Sequence, residues 1–258
     1  MDMNGASVIV TGSSSGLGAA IALGLAAKGA NLVINYSKSE DDARTVAAQC
    51  EAAGGRAVLC QANVADDGDC RRLAAAALDA WGRIDGLVNN AGTTRFARHD
   101  DLEALSAEDF QAVYAVNVIG PYQMIRAVTP AMKAQGAGAV VNVSSIAGVM
   151  GYGSSVAYAA SKGALNIMTK SLARALGPEI RVNAICPGLI QGRWLREGMG
   201  DERYEAMVRS VEENTPLRRA GTAEDMAEAA IWLLEGARHV TGEAILVDAG
   251  MHLGPPRR

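Results

Sequence analysis

Short apolar runs and alanine-rich amphipathic stretches alternate along most of this chain. Residues 7–10, 31–35, 56–61, 84–88, 139–143, 181–185 and 244–247 predict strands. These runs are short and nearly continuously apolar, as in a sheet covered on both faces. Helices are predicted between them, over 19–28, 39–53, 66–81, 106–134, 155–176 and 222–235. Gly29 ends the first, and Gly54-Gly55 stops the second. Ser39 is placed as the N-cap of the second, with Asp42 completing a capping-box-like start. Strand followed by helix, repeated, predicts an α/β fold: a doubly wound parallel sheet with helices on both faces. One stretch breaks the rhythm. Residues 189–215 hold no strand and mix Gly, Arg, Glu and Trp. Such an excursion after a strand end is either a substrate lid or a simple pair of surface helices.

With 258 residues, 49% of them hydrophobic, the chain can bury one large core, so a single domain over 1–258 is expected. Its net charge of -4, without an aromatic-basic stripe, argues against a nucleic-acid partner. No apolar run reaches the roughly 18 residues of a membrane span. Met1-Asp2-Met3-Asn4-Gly5 carries no signal-peptide pattern, and Arg257-Arg258 is too short for a polybasic anchor. A cytoplasmic protein is expected. Cys50, Cys60, Cys70 and Cys186 form no C-x-x-C pair and the three histidines are scattered, so free thiols and no metal site are expected.

The chemistry concentrates in Tyr158-Ala159-Ala160-Ser161-Lys162. A tyrosine and a lysine one helical turn apart share a face. The ammonium favours the ionised phenol, lowering its pKa toward the working range of an acid–base catalyst. Ser145 lies upstream, together with Asn117 and Asn89-Asn90-Ala91-Gly92; Pro187-Gly188 lies downstream. Near the N-terminus, Thr11-Gly12-Ser13-Ser14-Ser15-Gly16-Leu17-Gly18 follows a predicted strand and opens a predicted helix. Glycines there permit a sharp turn and close approach of a pyrophosphate to free N–H groups at the helix start. After the second strand comes Asn35-Tyr36-Ser37-Lys38, with no acid to hydrogen-bond a ribose 2′-hydroxyl. Ser37 and Lys38 suit a 2′-phosphate, which favours NADP(H) over NAD(H).

On these motifs, in this order and spacing, the chain resembles the short-chain dehydrogenase/reductase family from about Ser7 to Gly250. The overall pattern looks most like the 3-oxoacyl-carrier-protein reductase branch. The resemblance implies a single-domain Rossmann-like fold and reversible hydride transfer between a nicotinamide and a carbonyl or secondary alcohol, possible substrates including a 3-oxoacyl thioester. It implies Tyr158 as acid–base, Lys162 on the nicotinamide ribose and tuning Tyr158, Ser145 on the substrate oxygen, and Asn117 anchoring a water in a proton relay. For the cofactor it implies the turn residues Gly12, Ser14, Ser15, Gly16, Leu17 and Gly18. Tyr36, Ser37 and Lys38 follow the second strand; Asn63-Val64 would meet adenine, Asn90 the adenosine ribose, and Pro187, Gly188 and Ile190 the nicotinamide. It also implies a homotetramer paired through the long helices.

Two positions depart from many relatives. Asn63 replaces an aspartate and would use its carbonyl oxygen. Gly192 replaces a threonine and loses its contact to the nicotinamide amide or phosphates, unless Gln191 substitutes. Met150, Tyr152, Trp194, Leu195 and Met199 are candidate substrate walls, and Arg193 and Arg196 either meet an anionic substrate group or are solvated. Two alternatives stay open: a non-catalytic dinucleotide-binding sensor, and an epimerase or dehydratase of the same family.

Overall fold

A computed structural model describes residues 1–255; the Arg257-Arg258 tail lies outside the described residues. Seven strands form one parallel sheet: β1 Ser7–Val10, β2 Asn31–Tyr36, β3 Arg56–Gln61, β4 Gly86–Asn89, β5 Gly138–Val143, β6 Ile180–Pro187 and β7 Ala244–Val247. Their spatial order is β3-β2-β1-β4-β5-β6-β7. The order reverses between β1 and β4, which leaves a crevice at the carboxyl ends of the strands.

The helices are α1 Gly16–Ala26, α2 Glu40–Ala52, α3 Asp67–Trp81, α4 Ala107–Tyr114, α5 Gly120–Gln135, α6 Ala147–Met150, α7 Val156–Leu176, α8 Arg193–Met199, α9 Asp201–Asn214 and α10 Ala223–Glu235. Successive strand residues point to opposite faces. Val8, Val10, Leu32 and Ile34 pack with α1, α2 and α10, whereas Ile9 and Val33 pack with α3 and α5. That double burial explains why the strand runs carry so little polar alternation.

Local chemistry sets several helix starts. Asp66, Ser106, Ser155 and Thr222 each accept a backbone N–H near the start of α3, α4, α7 and α10. Ser39 does not: it precedes α2 but makes no side-chain cap bond. Asp42 completes no box with it, and its carboxylate pairs instead with Arg193 on α8, at 3.2 Å. The helix expected over 106–134 is interrupted. A π-helical segment, Ala115–Ile119, separates α4 from α5 and carries the buried Asn117. Residues 189–215 fold as α8 and α9, with Leu189 and Val211 in a small core of their own.

Three buried polar side chains tie the sheet to α7. Asn89 on β4 donates to Asn142 on β5 at 2.9 Å, and Asn142 donates to Thr169 on α7 at 2.9 Å. At the crevice, Asn90 Nδ2 donates to the carbonyls of Thr11 and Gly12, at 2.9 and 3.0 Å. Gly12 and Gly16 turn the chain at φ +61 and +55, left-handed values that favour glycine. Gly18 meets a different demand. A Cβ there would sit 2.4 Å from the Gly12 carbonyl oxygen and 2.5 Å from Asn90 Nδ2. Gly18→Ala is therefore expected to destabilise the fold by about 1–3 kcal/mol, read as a lower denaturant midpoint. An unchanged midpoint would mean the turn yields without cost.

Candidate active site

One cleft of about 1920 Å³ opens along the carboxyl edge of the sheet. Its walls gather most of the residues singled out in the sequence. Gly12, Ser14, Ser15, Gly16, Leu17, Ser37, Lys38, Asn63, Val64 and Asn90 line it, as do Ser145, Tyr158, Lys162, Pro187, Gly188 and Ile190. Three predicted residues stand off the wall. Gly18 packs behind the turn, and Asn117 is buried in the π-helical segment. Tyr36 belongs to the core beside α1 and α2, because strand alternation turns it away from the cleft.

The start of α1 fits a dinucleotide pyrophosphate. Ser15 makes no side-chain cap bond, and no acidic residue lies in the first turn. Nothing approaches within 4 Å of the space a Gly16 side chain would take. Uncapped N–H groups and the positive end of the helix dipole are thus left for an anion. Farther along, Asn63 Oδ1 accepts the Ala65 N–H at 3.1 Å, so one lone pair of the oxygen expected to meet adenine is already engaged. Ser37 and Lys38 are exposed at the end of β2.

Tyr158 and Lys162 stand one turn apart on α7, whose N-cap Ser155 accepts the Tyr158 N–H at 3.2 Å. Lys162 Nζ lies 5.6 Å from the Tyr158 ring centroid and donates to the Val143 carbonyl at 2.8 Å. Burial pushes the lysine down to about 8. It pushes the phenol up to about 12, against a hydrogen bond with Ser145 that acts the other way. The expected lowering of the phenol by the ammonium is not found. Desolvation of tyrosinate is the largest influence on the phenol, and the Lys162 ammonium does not figure among the others.

Ser145 Oγ accepts the Ala147 N–H at 3.1 Å. Its hydroxyl hydrogen stays available to a second oxygen. Asn117 Oδ1 accepts the Thr93 N–H at 2.8 Å, and its Nδ2 donates to Thr93 O and Ser161 Oγ, at 2.9 and 3.0 Å. Both ends of that amide are engaged. A Cβ on Gly92 would lie 3.6 Å from Asn117 Oδ1 and 3.7 Å from Lys162 Nζ, so the two groups border the same small space.

The substrate end is walled by Tyr152, Trp194, Leu195 and Met199, but Met150 is not on the wall. Phe96, which the sequence reading missed, takes a prominent place. Its ring centroid lies 6.1 Å from that of Trp194, which lies 6.4 Å from that of Tyr158. Phe96 also presses on Gly198, where a Cβ would meet the ring at 2.2 Å. Its signal was compositional: one of two phenylalanines, placed in a polar loop just after Asn89-Asn90-Ala91-Gly92. The Gln191 side chain donates to the Ala220 carbonyl at 3.2 Å, which ties it to the neighbouring loop. Arg193 pairs with Asp42, and Arg196 pairs with Asp201 at 3.0 Å and lies over the Tyr204 ring.

A family model described as enoyl-(acyl carrier protein) reductase matches residues 12–252. A Streptomyces violaceoruber protein named for ketoacyl reductase 2 of the granaticin polyketide synthase is 43% identical over 246 residues, 95% of either chain. The 3-oxoacyl-[acyl-carrier-protein] reductase FabG of Staphylococcus aureus is 35% identical over 249 residues, 96% of this chain and 98% of that one. A crystal structure titled as a short-chain dehydrogenase/reductase from Burkholderia xenovorans superposes with TM-score 0.90 at 40% identity, covering 97% of this chain and 99% of its own. The chain belongs to the short-chain dehydrogenase/reductase family. Like the reductases it resembles, it is an oxidoreductase of the carbonyl–alcohol pair.

Within this short-chain dehydrogenase/reductase, Gly192 has room for a larger side chain. Its φ of 165 is ordinary extended backbone, and nothing lies within 4 Å of an added Cβ. Its N–H donates to Tyr204 Oη at 3.2 Å, a bond that a side chain would leave in place. Gly192→Thr is expected to tighten dinucleotide binding several-fold, by restoring one hydroxyl contact worth about 1 kcal/mol. Fluorescence titration checks this; equal or weaker affinity would show that the glycine leaves no contact missing.

Proposed function

We propose that this chain is an NADP(H)-dependent reductase of ketones, acting reversibly on secondary alcohols, with 3-oxoacyl thioesters as the substrate class. The observation that carries the reading is the placement of Tyr158 and Ser145 together on the cleft wall, with Lys162 Nζ 5.6 Å from the Tyr158 ring centroid. A bound nicotinamide supplies or takes up the hydride. In reduction, the substrate oxygen takes the proton from Tyr158 Oη while Ser145 donates a hydrogen bond to it. The ammonium of Lys162 stabilises the tyrosinate left behind and binds the nicotinamide ribose. Asn117 holds Thr93 and Ser161 in place, and reprotonation runs through a water beside it. In oxidation the same proton returns to Tyr158.

The choice of NADP(H) rests on Ser37 and Lys38, exposed on the cleft wall where no carboxylate ends the strand. The nearby Asp42 carboxylate is paired with Arg193, which blunts its repulsion of a 2′-phosphate. Helices α8 and α9 act as the lid of a single domain. Ile119, Tyr122 and Ile167, on the long-helix faces, are exposed at 49, 47 and 65%, which suits the pairing of copies into a homotetramer. No described helix is long and apolar enough to cross a membrane, and we place the enzyme in the cytoplasm.

Two experiments test this reading. Tyr158→Phe is expected to keep cofactor affinity and to lose turnover by roughly two to four orders of magnitude, measured as NADPH oxidation with an acetoacetyl thioester. Near-normal turnover would remove Tyr158 from the mechanism. Lys38→Glu is expected to weaken NADPH more than NADH, through repulsion of the 2′-phosphate. Equal effects on both in fluorescence titrations would dismiss Lys38 as the determinant.

A further inference from the structure

Three aromatic side chains at the substrate end of the cleft are left half uncovered. Trp194, Phe96 and Tyr152 all line the cleft and are exposed at 50, 41 and 41%. The chain is poor in such residues, with three Trp, six Tyr and two Phe. Counting Tyr158, four of those eleven line this one cleft, so the concentration belongs to the site and not to the composition. Apolar surface gathered in a concave site and left open calls for an occupant.

The rings are placed by their surroundings. Phe96 presses on Gly198, where a Cβ would meet the ring at 2.2 Å. The next residue, Ala97, donates its N–H to the Ser154 carbonyl at 2.9 Å, and Thr94 and Ser154 share a hydroxyl–hydroxyl bond of 2.6 Å. The loop bearing Phe96 is therefore held to the segment that enters α7. On the lid, Arg193 pairs with Asp42 at 3.2 Å and anchors the start of α8 beside Trp194. Trp194 takes the central place among the rings. It is tilted by 49° to Phe96 and by 46° to Tyr158, at centroid distances of 6.1 and 6.4 Å. Neither neighbour lies flat against the indole.

The substrate carbonyl meets Tyr158, so a substrate group resting on Trp194 sits only a few bonds away from it. We propose that Phe96 and Trp194 form an aromatic subsite that receives an aryl ring of the substrate, so that the enzyme selects ketones carrying an aryl group a few bonds from the carbonyl. This rests on the reductase reading above and deepens it, by naming the substituent that the acyl chain carries. Aliphatic walls would serve an alkyl chain equally well. An aryl ring gains more from this wall, because offset and edge-to-face contacts between rings add to what area burial supplies. Trp194 is thus a specificity-determining residue.

The test reduces three N-acetylcysteamine thioesters with NADPH: the acetoacetyl, 3-oxo-5-phenylpentanoyl and 5-cyclohexyl-3-oxopentanoyl compounds. The two ring substrates share one linker, and the cyclohexyl ring offers at least as much apolar area, so burial alone would not favour phenyl. Wild type is expected to prefer phenyl over cyclohexyl by about three- to tenfold in kcat/KM. Trp194→Leu is expected to bring that ratio to one or below, and Trp194→Phe to keep part of it. Phe96→Leu, an independent variant, is expected to lower it as well. A ratio taken within one protein cancels any loss of folded enzyme, and so reads recognition and not stability. A wild-type ratio at or below one, or a ratio unchanged in both leucine variants, would overturn the proposal, while turnover of the acetoacetyl thioester would leave the reductase intact. A wild-type protein that reduces none of the three would overturn the reductase reading, and this proposal with it.

Discussion

The Asn90 side-chain amide ties the two strand ends that flank the cleft. It donates to the carbonyls of Thr11 and Gly12 and so fastens the turn after β1 to the end of β4. Thr11 Oγ1 answers by accepting the N–H groups of Asn90 and Ala91, each at 3.0 Å. With the carbonyls bound inward, the N–H groups at the start of α1 are left for a ligand. Each such bond contributes about 1 kcal/mol, but their joint effect is geometric. They bring the turn so close to α1 that Gly18 has no room for a side chain.

A second constraint acts through desolvation. Lys162 is buried and Tyr158 half-buried on the cleft wall, and desolvation drives each toward its neutral form. A phenol held near 12 is a loaded acid, while an amine near 8 is poised to change charge with a modest change in its surroundings. Proximity of opposite charge alone, which the spacing on α7 suggests, does not describe this pair. Desolvation is the largest influence on both groups.

The architecture was largely legible because both faces of every central strand are covered, which writes itself into the sequence as short unbroken apolar runs. The turn glycines and the Tyr158–Lys162 pair were legible because their spacing has mechanical meaning. What escaped had no periodic signature. Tyr36 reads like its neighbour Ser37, yet strand alternation sends it into the core. Ser39 has the right chemistry for a cap but its backbone leaves the hydroxyl unused. Phe96 lies in an irregular loop, held by the Ala97 N–H bond to the Ser154 carbonyl and packed on Gly198, contacts that no local pattern encodes. The Asp42–Arg193 pair joins residues far apart in the chain.

The π-helical segment that carries Asn117 has a bearing on attempts to stabilise the protein by redesign. Such a segment accommodates one extra residue per turn, so the surfaces of α4 and α5 run out of phase with each other across it. Regularising the stretch would improve the backbone hydrogen bonds and look favourable by any propensity scale. It would also rotate the asparagine by about 100° away from Thr93 and Ser161, loosening the wall behind the lysine. The irregular turn is a register device, and a consensus helix at this position would trade the alignment of the site for local stability.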